Sequence, residues 1–177
     1  MQKKSYDEYY QPAEDTLFFA DNIKHEKGRV ALDMGTGSGI LAKTLSDNFG
    51  LVVATDINFE ALKKAHESVE NCVCCNAADA LGSNFDLVVC NLPYLPSDEV
   101  RDPTVDGLKD GVEVPMRLVS SASKILAKNG KLIYLTSSLA NHLELRKKTE
   151  QLGFSTKILA TKKLFFEELM LVQCIKS

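Results

Sequence analysis

Short apolar runs alternate with amphipathic stretches along this chain, and the alternation predicts its elements. Val30 to Asp33, Leu51 to Asp56, Phe85 to Cys90 and Lys131 to Thr136 predict strands, and Cys72 to Asn76 a shorter one. Phe85 to Cys90 is almost continuously apolar, as a strand covered on both faces should be. Helical spacing predicts helices over Pro12 to Glu26, with a stripe through Leu17, Phe18 and Ile23, and over Ile40 to Asn48, Phe59 to Glu70, Val112 to Lys128 and Leu139 to Leu152. Asn58 precedes the third of these as an N-cap; Asn129-Gly130 and Gly153 follow the last two as C-terminal stops. Ser155 to Thr161 and Glu168 to Ile175 are close enough to pair as a hairpin. Strands alternating with helices predict an α/β, doubly wound, mostly parallel sheet of seven strands, with one antiparallel strand supplied by the terminal hairpin.

The chain has 177 residues, which suits a single domain over 1–177. No apolar run reaches the roughly 20 residues of a membrane span, and the polar start, Met1 to Glu8, lacks the apolar stretch of a signal peptide. A cytoplasmic or nuclear protein with no membrane partner is expected. Net charge is −3, so no bulk attraction to nucleic acid is expected. Yet residues 124–177 hold ten Lys/Arg against four Asp/Glu, a net of +6 that leaves −9 on the rest. That basic third is either a solvated face or a docking surface for an acidic or RNA-bound partner. The five cysteines, Cys72, Cys74, Cys75, Cys90 and Cys174, lack paired spacing, and His25, His66 and His142 are scattered, each expected at the surface. Neither a disulfide framework nor a metal site is predicted. Hydrolase chemistry also lacks a foothold, because Ser38 has Thr36 rather than glycine two places before it.

Leu32-Asp33-Met34-Gly35-Thr36-Gly37-Ser38-Gly39 lies between a predicted strand and a helix, the context of a nucleotide-binding loop. Gly35 and Gly37 let the backbone approach a ligand. A carboxylate at Asp33 would repel a pyrophosphate and attract a cation such as the methionine ammonium of S-adenosylmethionine. Two unit charges about 4 Å apart interact by roughly 4 kcal/mol at an effective dielectric of 20. The alternative is a structural turn with a helix N-cap. Asp56 ends the next strand, about 20 residues beyond the loop, where an acidic residue binds ribose hydroxyls; its alternative is an N-cap. Asp79, after the third strand, would accept a bond from an adenine amino group, with Ala80 beside the ring; its alternative is a solvated carboxylate, and the adenine role leans on the other motifs.

The strand Phe85 to Cys90 runs into Asn91-Leu92-Pro93-Tyr94. Here the chain resembles the HemK/PrmC-type N5-glutamine methyltransferases, which carry Asn-Pro-Pro-Tyr. Tyr10-Gln11-Pro12-Ala13-Glu14-Asp15-Thr16 is similar to the "EPAEDT" segment of the short eukaryotic and archaeal branch, and Asp106-Gly107-Leu108-Lys109-Asp110-Gly111 to its Gly-rich approach to the next helix. The resemblance covers nearly the whole chain and leaves no room for the extra N-terminal domain of bacterial members. It implies a class I, Rossmann-like methyltransferase fold and S-adenosyl-L-methionine as cofactor, with Thr16, Asp33, Gly35, Gly37, Asp56, Asp79, Ala80 and Asn91 around it.

The resemblance also implies the acceptor chemistry. A glutamine amide nitrogen is a poor nucleophile because its lone pair is conjugated. The Asn91 side-chain oxygen and the Leu92 carbonyl would accept the two amide hydrogens and aim the nitrogen at the methyl group, with Pro93 between them and Tyr94, which packs against the amide plane. Leu92 departs from the family's proline; the carbonyl remains, but a less rigid loop is expected. The implied acceptor is the glutamine of the Gly-Gly-Gln motif in a class 1 release factor. Lysine is an alternative within the short branch. Asn-Leu-Pro-Tyr also occurs in ribosomal RNA adenine dimethyltransferases, and a non-catalytic scaffold is a further reading. The short branch works with a small zinc-binding activator protein. The edge strand Cys72-Val73-Cys74-Cys75, lacking Lys or Pro, is where such a partner would add a strand; the alternative is that an adjacent helix or the segment before Tyr10 covers it.

Overall fold

The computed structural model describes residues 14–97, 102 and 105–177. The sequence-predicted Tyr10 to Ala13 segment lies outside these. Helix α1 (Glu14–Ile23) precedes β1 (Gly28–Met34), α2 (Ile40–Leu45), β2 (Phe49–Asp56), α3 (Phe59–Ala65), β3 (Asn71–Cys74) and β4 (Phe85–Asn91). Two short strands, β5 (Leu95–Pro96) and β6 (Asp106–Leu108), pair beside the main sheet. A 3-10 turn (Lys109–Gly111), α4 (Glu113–Ile125), β7 (Leu126–Ser137), α5 (His142–Gln151), β8 (Phe154–Lys163) and β9 (Glu168–Lys176) complete the chain. The main sheet has seven strands in the order β3-β2-β1-β4-β7-β9-β8. Pairing is parallel from β3 to β7, and β9 runs antiparallel to both of its neighbours.

Period-two alternation explains how one sheet builds two cores. Leu32, Val88, Leu132, Tyr134 and Val172 point to one face, where Val119, Ala122 and Ile125 of α4 and Leu145 of α5 cover them. Ala31, Leu87, Val89, Ile133 and Leu171 point to the other, under Phe19 and Ile23 of α1 and Leu41 and Leu45 of α2. At the start of β4, Asp86 Oδ2 accepts from the backbone N–H groups of Arg29 (2.7 Å) and Val30 (3.1 Å) and ties the sheet's middle strands together. Partial burial works to raise its pKa, but those bonds and the Arg29 guanidinium outweigh it and hold the carboxyl below the ordinary range.

Several expectations need correction. The buried stripe of α1 is Thr16, Phe19 and Ile23, whereas Leu17 is exposed. Helix α4 does not run to Asn129-Gly130. It stops at Ile125, where Lys176 Nζ donates to the Ser123 (2.6 Å) and Leu126 (3.0 Å) carbonyls, a cation satisfying a helix C-terminus. Asn129 and Gly130 instead fall in an irregular part of the β4–β7 pairing between Phe85 and Leu87. Helices α2 and α3 end earlier than their apolar spacing predicts, at Leu45 and Ala65, and α5 starts at His142 behind an Asn141 cap. His142 is half-buried rather than superficial. Cys74 is exposed and Cys72 and Cys75 half-buried, so only Cys90 and Cys174 are core residues.

Candidate active site

The β-order places two loops side by side. Strand β1 has β2 on one side and β4 on the other, so chain direction reverses there and a crevice opens beyond the strand ends. Register pairs Asp33 with Val89, so Gly35 and Asn91 each stand two residues further along neighbouring strands. The glycine loop after β1 and the Asn91–Tyr94 loop after β4 therefore share one rim.

Hydrogen bonds to two carboxylates shape the glycine loop. Asp33 Oδ2 accepts from the Thr36 hydroxyl (2.6 Å) and from Ala42 N (3.0 Å), which ties the loop to α2. The structural alternative for Asp33 thus describes one of its oxygens, although the α2 N-cap itself is Gly39. The other oxygen, Oδ1, is buried without a partner. Burial pushes the Asp33 pKa up to about 6, and the nearby Asp56 charge adds to the rise. Asp56 Oδ2 accepts from Gly37 N (2.9 Å) and Oδ1 from Asn58 N (2.8 Å), while Asn58 caps α3. Asp56 is therefore a brace of the glycine loop, with carboxylate lone pairs to spare. Gly35 and Gly37 hold φ of 73° and 52°, and a Cβ at either would meet nothing within 4 Å. Two left-handed glycines with open space at their Cβ positions, two and four residues after a carboxylate whose buried Oδ1 has no partner, fit a ligand carrying an ammonium group. Asp79 and Ala80 lie exposed in the turn after β3, where Asn76 Nδ2 donates to Asp79 Oδ2 at 3.1 Å.

On the neighbouring loop, Asn91 Nδ2 donates to Asp15 Oδ2 at 3.1 Å. A carboxylate only accepts, so this contact fixes which way the Asn91 amide points and turns its Oδ1 away from Asp15 as an acceptor. Asp15 is a site residue that the sequence reading did not single out: it sits beside Thr16 but 76 positions from Asn91. Thr16 itself is buried in α1, 5% exposed. Leu92 is buried among Leu32, Val88 and Val112. Pro93 is buried as well, and Tyr94 packs against the α1 side of the core.

Two glycines seat this loop, and sequence alone gave them no such role. A Cβ at Gly107 would stand 2.7 Å from the Pro93 carbonyl oxygen, and one at Gly111 2.1 Å from that of Tyr94. Between them, Leu108 and Asp110 take φ of 59° and 56°, conformations glycine tolerates far better. Strain of this kind is stored where a site requires it. Among the described residues, no cluster of His, Cys, Asp or Glu could hold a metal ion.

Comparison with known proteins shows the family and the fold. Residues 13–165 match the "Methyltransferase small domain" family. A candidate protein N5-glutamine methyltransferase of Methanocaldococcus jannaschii is 33% identical over 182 residues, covering 96% of this chain and 92% of its own length. Methyltransferase HEMK2 of Mus musculus is 29% identical over 163 residues, covering 76% of this chain and 74% of its own. A chain of the E. cuniculi Mtq2–Trm112 complex, responsible for methylation of the eRF1 translation termination factor, superposes with a TM-score of 0.82 at 30% identity, covering 96% of this chain and 99% of that one. The chain belongs to the methyltransferase small-domain family and is an S-adenosylmethionine-dependent methyltransferase with the class I fold.

Proposed function

We propose that this enzyme methylates the N5 nitrogen of the glutamine in the Gly-Gly-Gln motif of a class 1 release factor. One observation carries the reading: Asp15 orients the Asn91 amide so that a hydrogen-bond acceptor, not a donor, is left for the acceptor substrate. The kinship with the E. cuniculi Mtq2–Trm112 complex, which acts on eRF1, supports the same choice.

When bound, S-adenosylmethionine supplies a methyl group on a sulfonium sulfur, which keeps the bonding electrons when the methyl is transferred. The rest falls to this chain. Asn91 Oδ1 and the Leu92 carbonyl accept the two amide hydrogens of the substrate glutamine, which concentrates electron density on its nitrogen and orients the lone pair. The nitrogen then forms the new N–C bond and sheds one proton to water. Asp56 would offer its remaining lone pairs to the ribose, Asp79 would accept from the adenine amino group with Ala80 beside the ring, and Thr16 would back the site from α1. Asp33 Oδ1 would take the methionyl ammonium. A strong base is not required, because the N-protonated amide cation formed by the transfer is strongly acidic and gives its proton to water. The test is mass spectrometry of a release factor incubated with enzyme and S-adenosylmethionine. The expected product gains one methyl group on the Gly-Gly-Gln glutamine; an unmodified factor beside a methylated lysine or adenine acceptor would reject the assignment.

The reading includes a small zinc-binding activator that adds a strand at β3, the sheet's edge. Cys75 N donates to the Asp56 carbonyl at 3.1 Å, so by alternation the Cys74 N–H faces outward. Val73 packs partly on the core, which makes it a poor place to probe the edge. Cys74→Pro removes an outward donor instead, and should abolish co-purification with the activator while the fold persists. Undiminished co-purification would place the partner elsewhere.

A further inference from the structure

The β8–β9 hairpin ends in a turn whose composition runs against turn chemistry. Leu164 N donates to the Glu167 carbonyl at 2.8 Å and closes the turn around Phe165 and Phe166. Such positions favour Gly, Asn, Asp and Pro. Here they carry two phenylalanines that are 92% and 85% exposed. Their rings meet edge to face with centroids 4.6 Å apart, forming one projecting apolar knob. Packing does not call for them, because Leu164 already fastens the turn to the α1-side core, the cluster that Tyr94 also joins.

The knob stands on the same end of the sheet as the acceptor loop. Ser138 N, just past the C-terminal end of β7, donates to the carbonyl of Glu168, the first residue of β9 after the turn (2.9 Å). Lys162 Nζ, three residues before Phe165, lies 2.8 Å from Glu14 Oε1, and the next residue, Asp15, orients Asn91. The hairpin belongs to the edge opposite β3, away from the strand assigned to the activator.

We propose that the Phe165–Phe166 knob docks the acceptor protein, filling an apolar pocket on the folded release factor beside its Gly-Gly-Gln loop. This inference rests on the acceptor assignment above. The Asn91–Leu92 clamp recognises a primary amide, which every glutamine offers, so selection of one protein requires contacts outside the cleft. Buried aromatic anchors dominate such contacts. Lys163 precedes the turn and Glu167 and Glu168 follow it, so the rim of the knob is of mixed charge and its two rings carry the contact.

The test compares wild type with the double variant Phe165→Ser/Phe166→Ser, each co-purified with the activator, on two substrates: the intact release factor and a short synthetic peptide containing Gly-Gly-Gln. For the intact factor the variant should raise KM by roughly tenfold or more with kcat retained. Peptide kinetics and S-adenosylmethionine affinity should not change, because the peptide is too short to reach the knob. An unchanged KM for the intact factor overturns the proposal. Equal impairment on both substrates also overturns it, since that marks a damaged site and not a lost dock. So does a wild-type enzyme that sediments as a dimer through the knob while the variant is monomeric with unaltered KM. If wild type methylates neither substrate, the acceptor assignment itself falls and this proposal with it, an outcome visible before the variant is assayed.

Discussion

Lowering the pH from 7 to 5 should weaken S-adenosylmethionine binding about tenfold through Asp33 alone. Burial raises the pKa of this carboxyl to about 6, and the Oδ1 atom has no partner in the free protein. If the ammonium of the cofactor is what Oδ1 awaits, binding requires the ionised form, and protonation competes with it. With a pKa near 6, the competing factor 1 + 10^(pKa − pH) is about 1.1 at pH 7 and about 11 at pH 5. Their ratio is the tenfold loss, or about 1.4 kcal/mol. The stability of the free enzyme moves the other way. Asp33 holds its proton more tightly folded than unfolded, so its contribution favours the fold at low pH and is lost as pH rises from 3.8 to about 6, by an order of about 3 kcal/mol. Asp33→Asn removes the buried charge while keeping an oxygen for Thr36 and Ala42. The variant should therefore unfold no more easily than wild type at pH 7 yet bind the cofactor at least tenfold more weakly, with little pH dependence. Calorimetric titration at pH 5, 6 and 7 and urea unfolding of both proteins supply the four comparisons. A wild-type affinity that is flat over this range, or an Asn variant that binds as wild type does, would refute the pairing and leave Asp33 as a brace of the loop only.

Asp15→Asn should let the Asn91 amide turn over and lower kcat roughly 10- to 100-fold, the value of a hydrogen bond to a charged group, while the cofactor dissociation constant measured by calorimetry stays put; an unaltered kcat would mean that Asn91 is oriented by something else. Gly111→Ala places a Cβ at 2.1 Å from the Tyr94 carbonyl at a φ of 66°, so it should cost at least about 1–2 kcal/mol in urea unfolding and reduce turnover as the loop shifts. With a glutamine acceptor, the rate should be flat between pH 7 and 9, because the amide has no proton to lose before attack. A rise approaching tenfold per pH unit would reveal a lysine, whose ammonium must first deprotonate.

What could be read in the sequence was what depends on neighbours along the chain. Strand alternation, the Asn58 cap and the glycine loop are local, and they placed the seven strands of the main sheet, while the edge position of β3 followed from the resemblance to the methyltransferase fold. The errors have distant causes. Helix α4 ends where Lys176, some 50 residues later in sequence, reaches its last carbonyls, so the Asn129-Gly130 stop had nothing left to stop. The choice of Phe19 over Leu17 as the buried residue of α1 depends on the angle at which the helix meets the sheet. Asp15 gains its meaning from Asn91, 76 positions away, and Gly107 and Gly111 from the carbonyls of Pro93 and Tyr94. A glycine-rich stretch announces that backbones approach closely without saying which backbone comes near.

The replacement of proline by Leu92 shows how the clamp keeps its shape without a ring. A proline at this position would fix φ and stiffen the loop from within. Leu92 is instead 2% exposed, its side chain set among Leu32, Val88 and Val112 in the core below the loop. Burying a leucine side chain favours that arrangement by about 1.5–3 kcal/mol, more than the roughly 0.4–1 kcal/mol that a proline at a compatible position supplies. The backbone at Gly107 and Gly111 runs so near the carbonyl oxygens of Pro93 and Tyr94 that a Cβ would not fit between them, and Asp15 holds the Asn91 side chain. Each residue from 91 to 94 is thus restrained by a group remote in sequence, and rigidity passes from covalent geometry to packing. The reaction needs only that two acceptors face one amide at fixed separation, and side-chain burial can enforce that condition as well as a pyrrolidine ring can.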